Sequence, residues 1–133
     1  MEAEAASLSL KLAAEPQNVR QARDEVASYA EALGLAAPGG EDLKTIVSEA
    51  CSNIVRHAYP AEATERPMEV EMEKTDGELA VTVRDSGTGI RPPTGARLRL
   101  GFILMGSLAD FLQLRTGRGR GTELLMKVPL ASA

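Results

Sequence analysis

The sequence predicts an α+β fold: a two-layer sandwich in which three helices cover one face of a mostly antiparallel sheet. Three observations carry this. Two segments with helical apolar spacing follow each other early in the chain. Alternating segments further on are joined in pairs by glycine-rich turns. The resulting element order is β, α, α, β, β, α, β, β, which separates the helices from the hairpins. At 133 residues, 44% apolar and 26% charged, the chain is long enough to bury a substantial core and too apolar to be disordered. It reads as a single domain spanning 1–133, with no repeat and no linker.

Taken in order, Ser7-Leu8-Ser9-Leu10-Lys11-Leu12 alternates polar and apolar residues, as a half-buried strand does. Pro16 suits the first turn of a helix, where its missing N–H costs nothing. Val19, Ala22, Val26, Tyr29, Ala30 and Leu33 follow at helical spacing, and Gly34 is a natural stop. After a Pro-Gly-Gly loop at 38–40, a second helix starts near Glu41 and Asp42, whose charges favour a helix N-terminus. Its apolar positions are Leu43, Ile46, Val47, Ala50 and Ile54, with Val55 at the margin. Pro60 ends it by Tyr59.

Met68, Val70 and Met72 alternate with Glu69, Glu71 and Glu73, giving a strand with one acidic face. An Asp-Gly turn at 75–78 leads to its partner strand, with Leu79, Val81 and Val83 inward. A short helix is expected from Gly101 to about Asp110. The last hairpin pairs 111–116 with 122–128 across the glycine-rich run 117–121.

Composition narrows the function. Aromatics make up 3% and there is no Trp, so base-stacking surfaces for single-stranded nucleic acid are not expected. The net charge of −4 hides an asymmetry: residues 91–133 hold two acids and seven bases, the rest seventeen acids and eight bases. The basic end is either a solvated face or a surface for phosphate or an acidic partner. No DNA-binding motif accompanies it. A single cysteine, Cys51, and a single histidine, His57, make no disulfide and no zinc constellation. Without a signal peptide or an apolar run of membrane-spanning length, a cytoplasmic protein is the expectation.

Two segments carry the chemistry. On the second helix Glu49, Asn53 and His57 recur every four residues and share one face. Such a stripe is either solvent-exposed or a ligand surface bordering the core. Thirty residues on, Asp85-Ser86-Gly87-Thr88-Gly89 closes a strand. This is either a simple Asp turn or a place where glycines let a ligand approach the backbone.

Glu49-Ala50-x-x-Asn53-x-x-x-His57-Ala58-Tyr59, followed by Arg84-Asp85-x-Gly87-x-Gly89-Ile90, resembles the N and G1 boxes of the GHKL (Bergerat, histidine-kinase-like) ATPase superfamily. Gly101-Phe102-Ile103-Leu104-Met105 and Gly121-Thr122 resemble its G2 region. Within it, the chain is most similar to the small bacterial anti-sigma factor serine/threonine kinases. That likeness takes in Ala22-Arg23 and Val26-Ala27-Ser28, and covers about residues 7–129.

The resemblance implies a GHKL-type sandwich binding ATP and Mg²⁺. Asn53 would coordinate the metal, and Glu49 would be the general base toward a partner's hydroxyl. Asp85 would accept a hydrogen bond from the adenine amino group, with Gly87, Gly89 and Thr122 shaping the base pocket. Gly101 would face the phosphates. The resemblance further implies a homodimer that holds a sigma factor and phosphorylates an anti-anti-sigma antagonist, with Arg23 and the first helix as the partner face. His57 fits a structural role at the helix end, and Cys51 fits the core.

The sequence departs from the family pattern in two places. Arg99 stands where the first glycine of a Gly-x-Gly is usual, and only eleven residues separate Gly89 from Gly101. Arg99, with Arg97 beside it, can make a charge-assisted phosphate contact instead. The alternative function is a non-catalytic nucleotide-binding or partner-sequestering module on the same fold.

Overall fold

The computed structural model describes residues 7–34, 39–75, 77–87, 111–117 and 121–129. Strand β1 (Ser7–Ala13) is followed by helices α1 (Pro16–Ala32) and α2 (Gly39–His57), the hairpin β2 (Pro67–Thr75) and β3 (Glu78–Asp85), and the hairpin β4 (Phe111–Gly117) and β5 (Gly121–Pro129). The expected third helix at 101–110 lies outside the described residues, as do Gly89, Arg97, Arg99 and Gly101.

The five strands form one antiparallel sheet in the order β1-β2-β3-β5-β4. Because side chains alternate across a strand, the register sorts residues into rows that run across the whole sheet. Leu8, Met72, Val81, Met126 and Leu112 make one row, and Leu10, Val70, Val83, Leu124 and Leu114 the next. Both face the helices. Met72, Val81, Met126, Val70, Val83 and Leu124 are buried there.

Helix α1 contributes Ala22, Val26 and Ala30 to this layer, and α2 contributes Leu43, Ile46, Val47, Ala50, Cys51 and Ile54. With so few aromatics, close packing falls to branched aliphatics and methionine, whose flexible thioether fills gaps. Met68, Met72 and Met126 are buried as expected of core residues. Cys51 is buried too, and burial pushes its thiol up to about 12. It therefore stays a neutral packing group at physiological pH.

The helix ends follow the sequence signals. Pro16 opens α1 behind an extended Glu15, and Gly34 ends it with φ of +102°, a left-handed geometry that suits glycine. Glu41 and Asp42 occupy the first turn of α2, and Arg56 and His57 the last, each favourable to the helix dipole. His57 is exposed and makes no hydrogen bond among the described residues. The loop after the helix is held by Arg66, whose guanidinium donates to the carbonyls of Pro60, Ala61 and Ala63.

The opposite face of the sheet is charged. Lys11, Glu69, Arg84, Glu123 and Arg115 lie in one register row and alternate in sign across all five strands. Arg84 sits at the centre, 3.1 Å from Glu69, 3.2 Å from Glu71 and 3.1 Å from Glu123. Its hydrogen bond is the main reason the Glu69 carboxyl is held below its ordinary value, with Lys11 adding to the effect. A depressed carboxylate stabilises the fold above its ordinary pKa and loses that contribution as the pH falls through the folded value.

Replacing Arg84 by Met leaves three glutamates facing one another. It should destabilise the protein by about 1–2 kcal/mol at low salt, since exposed pairs contribute about 0.2–1 kcal/mol each and the three carboxylates lose the cation between them. Urea titrations should show the full deficit above pH 4.5, fading below it, and shrinking in high salt.

Candidate functional site

One register row breaks the apolar pattern of the core face. Leu12 and Met68 continue it, but the next two positions, on the central strands β3 and β5, are Asp85 and Thr122. The helix that covers this end is α2, and it places Asn53 there. Asn53 is 3% exposed, Asp85 6% and Thr122 6%; they are the buried polar residues among those described. The three line one cavity together with Ala50, Ile54, Val83, Leu114 and Leu124.

Three polar atoms of this cavity lack a partner among the described residues. Both amide atoms of Asn53 and Oδ2 of Asp85 are buried and find no hydrogen-bond partner among the described residues. A buried polar group left this way costs on the order of 1–3 kcal/mol, so native structures rarely hold three in one place without a ligand to meet them. Burial is the chief influence on Asp85 and pushes its carboxyl above the ordinary range, against the backbone N–H groups of Gly87 and Thr122, which favour the charged form. Oδ1 accepts the Gly87 N–H at 2.8 Å, leaving Oδ2 turned to other use.

Two glycines set the backbone here. A Cβ on Gly87 would lie 2.1 Å from the Ala58 carbonyl oxygen, so the strand exit can pass the end of α2 only without a side chain. Gly87 is thus required first by helix–strand packing, beside its expected place next to a ligand. Gly121 has φ of +78°, and a Cβ there would lie 2.1 Å from the Asp85 carbonyl oxygen.

Glu49 does not enter this cavity. It is half-buried and lines a separate, open groove with Arg23, Glu41, Lys44, Thr45, Ser48 and Ser52. The described cations of that groove are engaged elsewhere, Arg23 with Asp24 and Lys44 with Glu41. The fold therefore brings Asn53, Asp85 and Thr122 together, sets Glu49 one turn away on the surface side with Arg23, and leaves His57 outside both.

Tyr59 is a residue whose place the sequence signals did not reveal. Its Oη accepts the Ser86 N–H at 2.9 Å and donates to the carbonyl of Pro67. The sequence marks it only as the end of the His57-Ala58-Tyr59 motif before Pro60, which says nothing of what its hydroxyl touches.

A family model described as the histidine kinase-like ATPase domain matches residues 12–128. This chain belongs to that family. It is 31% identical to the anti-sigma F factor of Clostridium kluyveri over 133 residues, covering 91% of this chain and 92% of that one. The anti-sigma F factor of Pasteuria penetrans is 33% identical over 122 residues, covering 83% and 81%. Among solved structures, the RsbU and RsbW domains of a Mycobacterium tuberculosis protein share the fold, with a TM-score of 0.71 at 20% identity. That match covers 93% of this chain and 32% of the other. A histidine kinase-like ATPase domain is a nucleotide-binding fold.

Asp85→Asn keeps an oxygen for the Gly87 N–H and removes the buried charge. Since a carboxyl with a raised folded pKa costs stability once ionised, the variant should melt higher than wild type at pH 7. If Asp85 holds a nucleotide base, as proposed below, ADP affinity should also fall, roughly 10- to 100-fold, the worth of a hydrogen bond to a charged group. Thermal melts with and without ADP check both halves.

Proposed function

We propose that this chain is an ATP-binding anti-sigma factor that phosphorylates a serine or threonine of its antagonist protein and holds a sigma factor when that antagonist is absent. The observation that carries the reading is the cavity in which Asn53 and Asp85 are buried with three unpartnered polar atoms, one helical turn from an accessible Glu49. The anti-sigma F factor relatives, matched over nearly their whole length, supply the biological setting.

Each residue has a chemical task in this reading. Asp85 Oδ2 accepts from the exocyclic amine of adenine, which selects ATP over GTP. Thr122 and the apolar walls Ala50, Ile54, Val83 and Leu124 enclose the base. Asn53 offers an amide oxygen, a hard ligand suited to Mg²⁺. Among the described residues no cluster of three His, Cys, Asp or Glu could hold a metal alone, so phosphate and water oxygens would complete its shell. Bound there, Mg²⁺ neutralises phosphate charge.

Glu49 takes the proton from the acceptor hydroxyl. The hydroxyl oxygen then bonds to the terminal phosphorus, and the bond to the ADP oxygen breaks. A groove open to solvent and free of an ion pair to Glu49 among the described residues suits a base that must receive another protein's side chain. Arg23 on the same groove is the candidate contact to that protein.

Two variants separate binding from transfer. Asn53→Ala should lose Mg²⁺-dependent ATP binding in calorimetry. Glu49→Ala should bind ATP as wild type does, while transfer of labelled phosphate to the antagonist falls about 10²- to 10⁴-fold. Undiminished transfer in Glu49→Ala removes it from the role. Tight ATP binding with no transfer in wild type identifies a sequestering module.

A further inference from the structure

We infer that Tyr59 is a positioning residue for base recognition: its hydroxyl, bridging Ser86 and Pro67, fixes the peptide that aims Asp85 into the cavity. This rests on the reading that Asp85 contacts the adenine.

The peptide between Asp85 and Ser86 is held at both ends. Its N–H donates to Tyr59 Oη at 2.9 Å. Its carbonyl lies against Gly121, so closely that a Cβ there would come within 2.1 Å of the oxygen and 2.9 Å of the Ser86 Cα. One residue on, the Gly87 N–H closes onto Asp85 Oδ1, and Gly87 itself presses on the Ala58 carbonyl. Ala58 and Tyr59 are consecutive, so the end of α2 forms one wall for the whole 85–87 turn.

The anchor on the far side is firm. Tyr59 donates to the carbonyl of Pro67, the first residue of β2, which is paired with Ala13 of β1. Burial, with lesser contributions from the Asp85 and Glu69 charges, pushes the phenol above its ordinary range, so it keeps the proton it donates. Ser86 itself is exposed, and its amide would otherwise be left to solvent. The Gly87 and Thr122 N–H groups hold Asp85 from one side; Tyr59 adds a tether on the Ser86 side that limits rotation of the turn.

The test compares ADP with inosine diphosphate, which carries a carbonyl oxygen where adenine has its amine. Calorimetry on wild type, Tyr59→Phe and Asp85→Asn gives the ratio of the two affinities for each. Wild type should prefer ADP. Tyr59→Phe, which deletes one oxygen, should lower that preference about fivefold, the worth of one hydrogen bond, toward the Asp85→Asn value.

A merely structural tyrosine would lower the melting temperature and leave the ratio intact, and that result overturns the proposal. A wild type without preference for ADP overturns the reading of Asp85 itself, and this inference with it. Should Tyr59→Phe not fold, amide exchange in the wild-type protein decides. The Ser86 N–H should be protected at least tenfold without nucleotide despite its exposure, and free exchange there sinks the strut.

Discussion

Burying an ionisable carboxyl and an amide, with three of their polar atoms unpartnered among the described residues, opposes folding, and the rest of this molecule is arranged to hold them there. Asp85 sits where the neighbouring register rows carry valine, leucine and methionine, and Asn53 of α2 is buried over it. Water would satisfy all three of their unpartnered atoms in the unfolded chain. Native stabilities are only about 5–15 kcal/mol, so a few such groups take a large share. What offsets them is the continuous apolar layer formed by two sheet rows and the inner faces of α1 and α2.

The two faces of the sheet divide the work by the two-residue period of the strands. Inward positions supply hydrophobic burial up to the last row, where they turn polar. Outward positions carry alternating charges centred on Arg84. Arg84 and Asp85 are neighbours in sequence, yet the pleat sends one to solvent and the other into the cavity. Their opposite pH behaviour follows from that. Arg84 helps hold Glu69 ionised, whereas burial drives Asp85 toward its neutral form.

Function follows from what the buried polar groups lack. In the proposed reading, a nucleotide base and its phosphates would carry the donors and metal-borne charge that Asp85 and Asn53 lack among the described residues, so binding would relieve that cost. Glu49 stands on the other side of that boundary. One helical turn, about 5.4 Å of rise, separates a buried group from one that lines an open groove. The four-residue spacing on α2 thus serves two environments, because the stripe runs along the edge between buried and open surface.

Local rules account for what could be read from the residues alone. Alternation in 7–12 and 68–73, helical spacing in 19–33 and 43–54, and the stops at Gly34 and Pro60 depend only on neighbours in sequence, so the α+β class and most element boundaries were legible. The pairing of the Asn53 helix with the Asp85 strand came from the resemblance of two motifs, since no local rule joins positions thirty residues apart. The sequence by itself determined which faces are apolar and which residue types could bind a nucleotide. Tertiary structure alone decided that β5 inserts between β3 and β4, setting Thr122 beside Asp85. It decided that Glu49 and Asn53 open into different hollows, that Gly87 is bare because Ala58 lies against it, and that Tyr59 rather than His57 joins the helix end to the strand. The reason is that burial and hydrogen-bond partnership are properties of contacts between distant segments, and a local sequence pattern specifies only what each segment can offer.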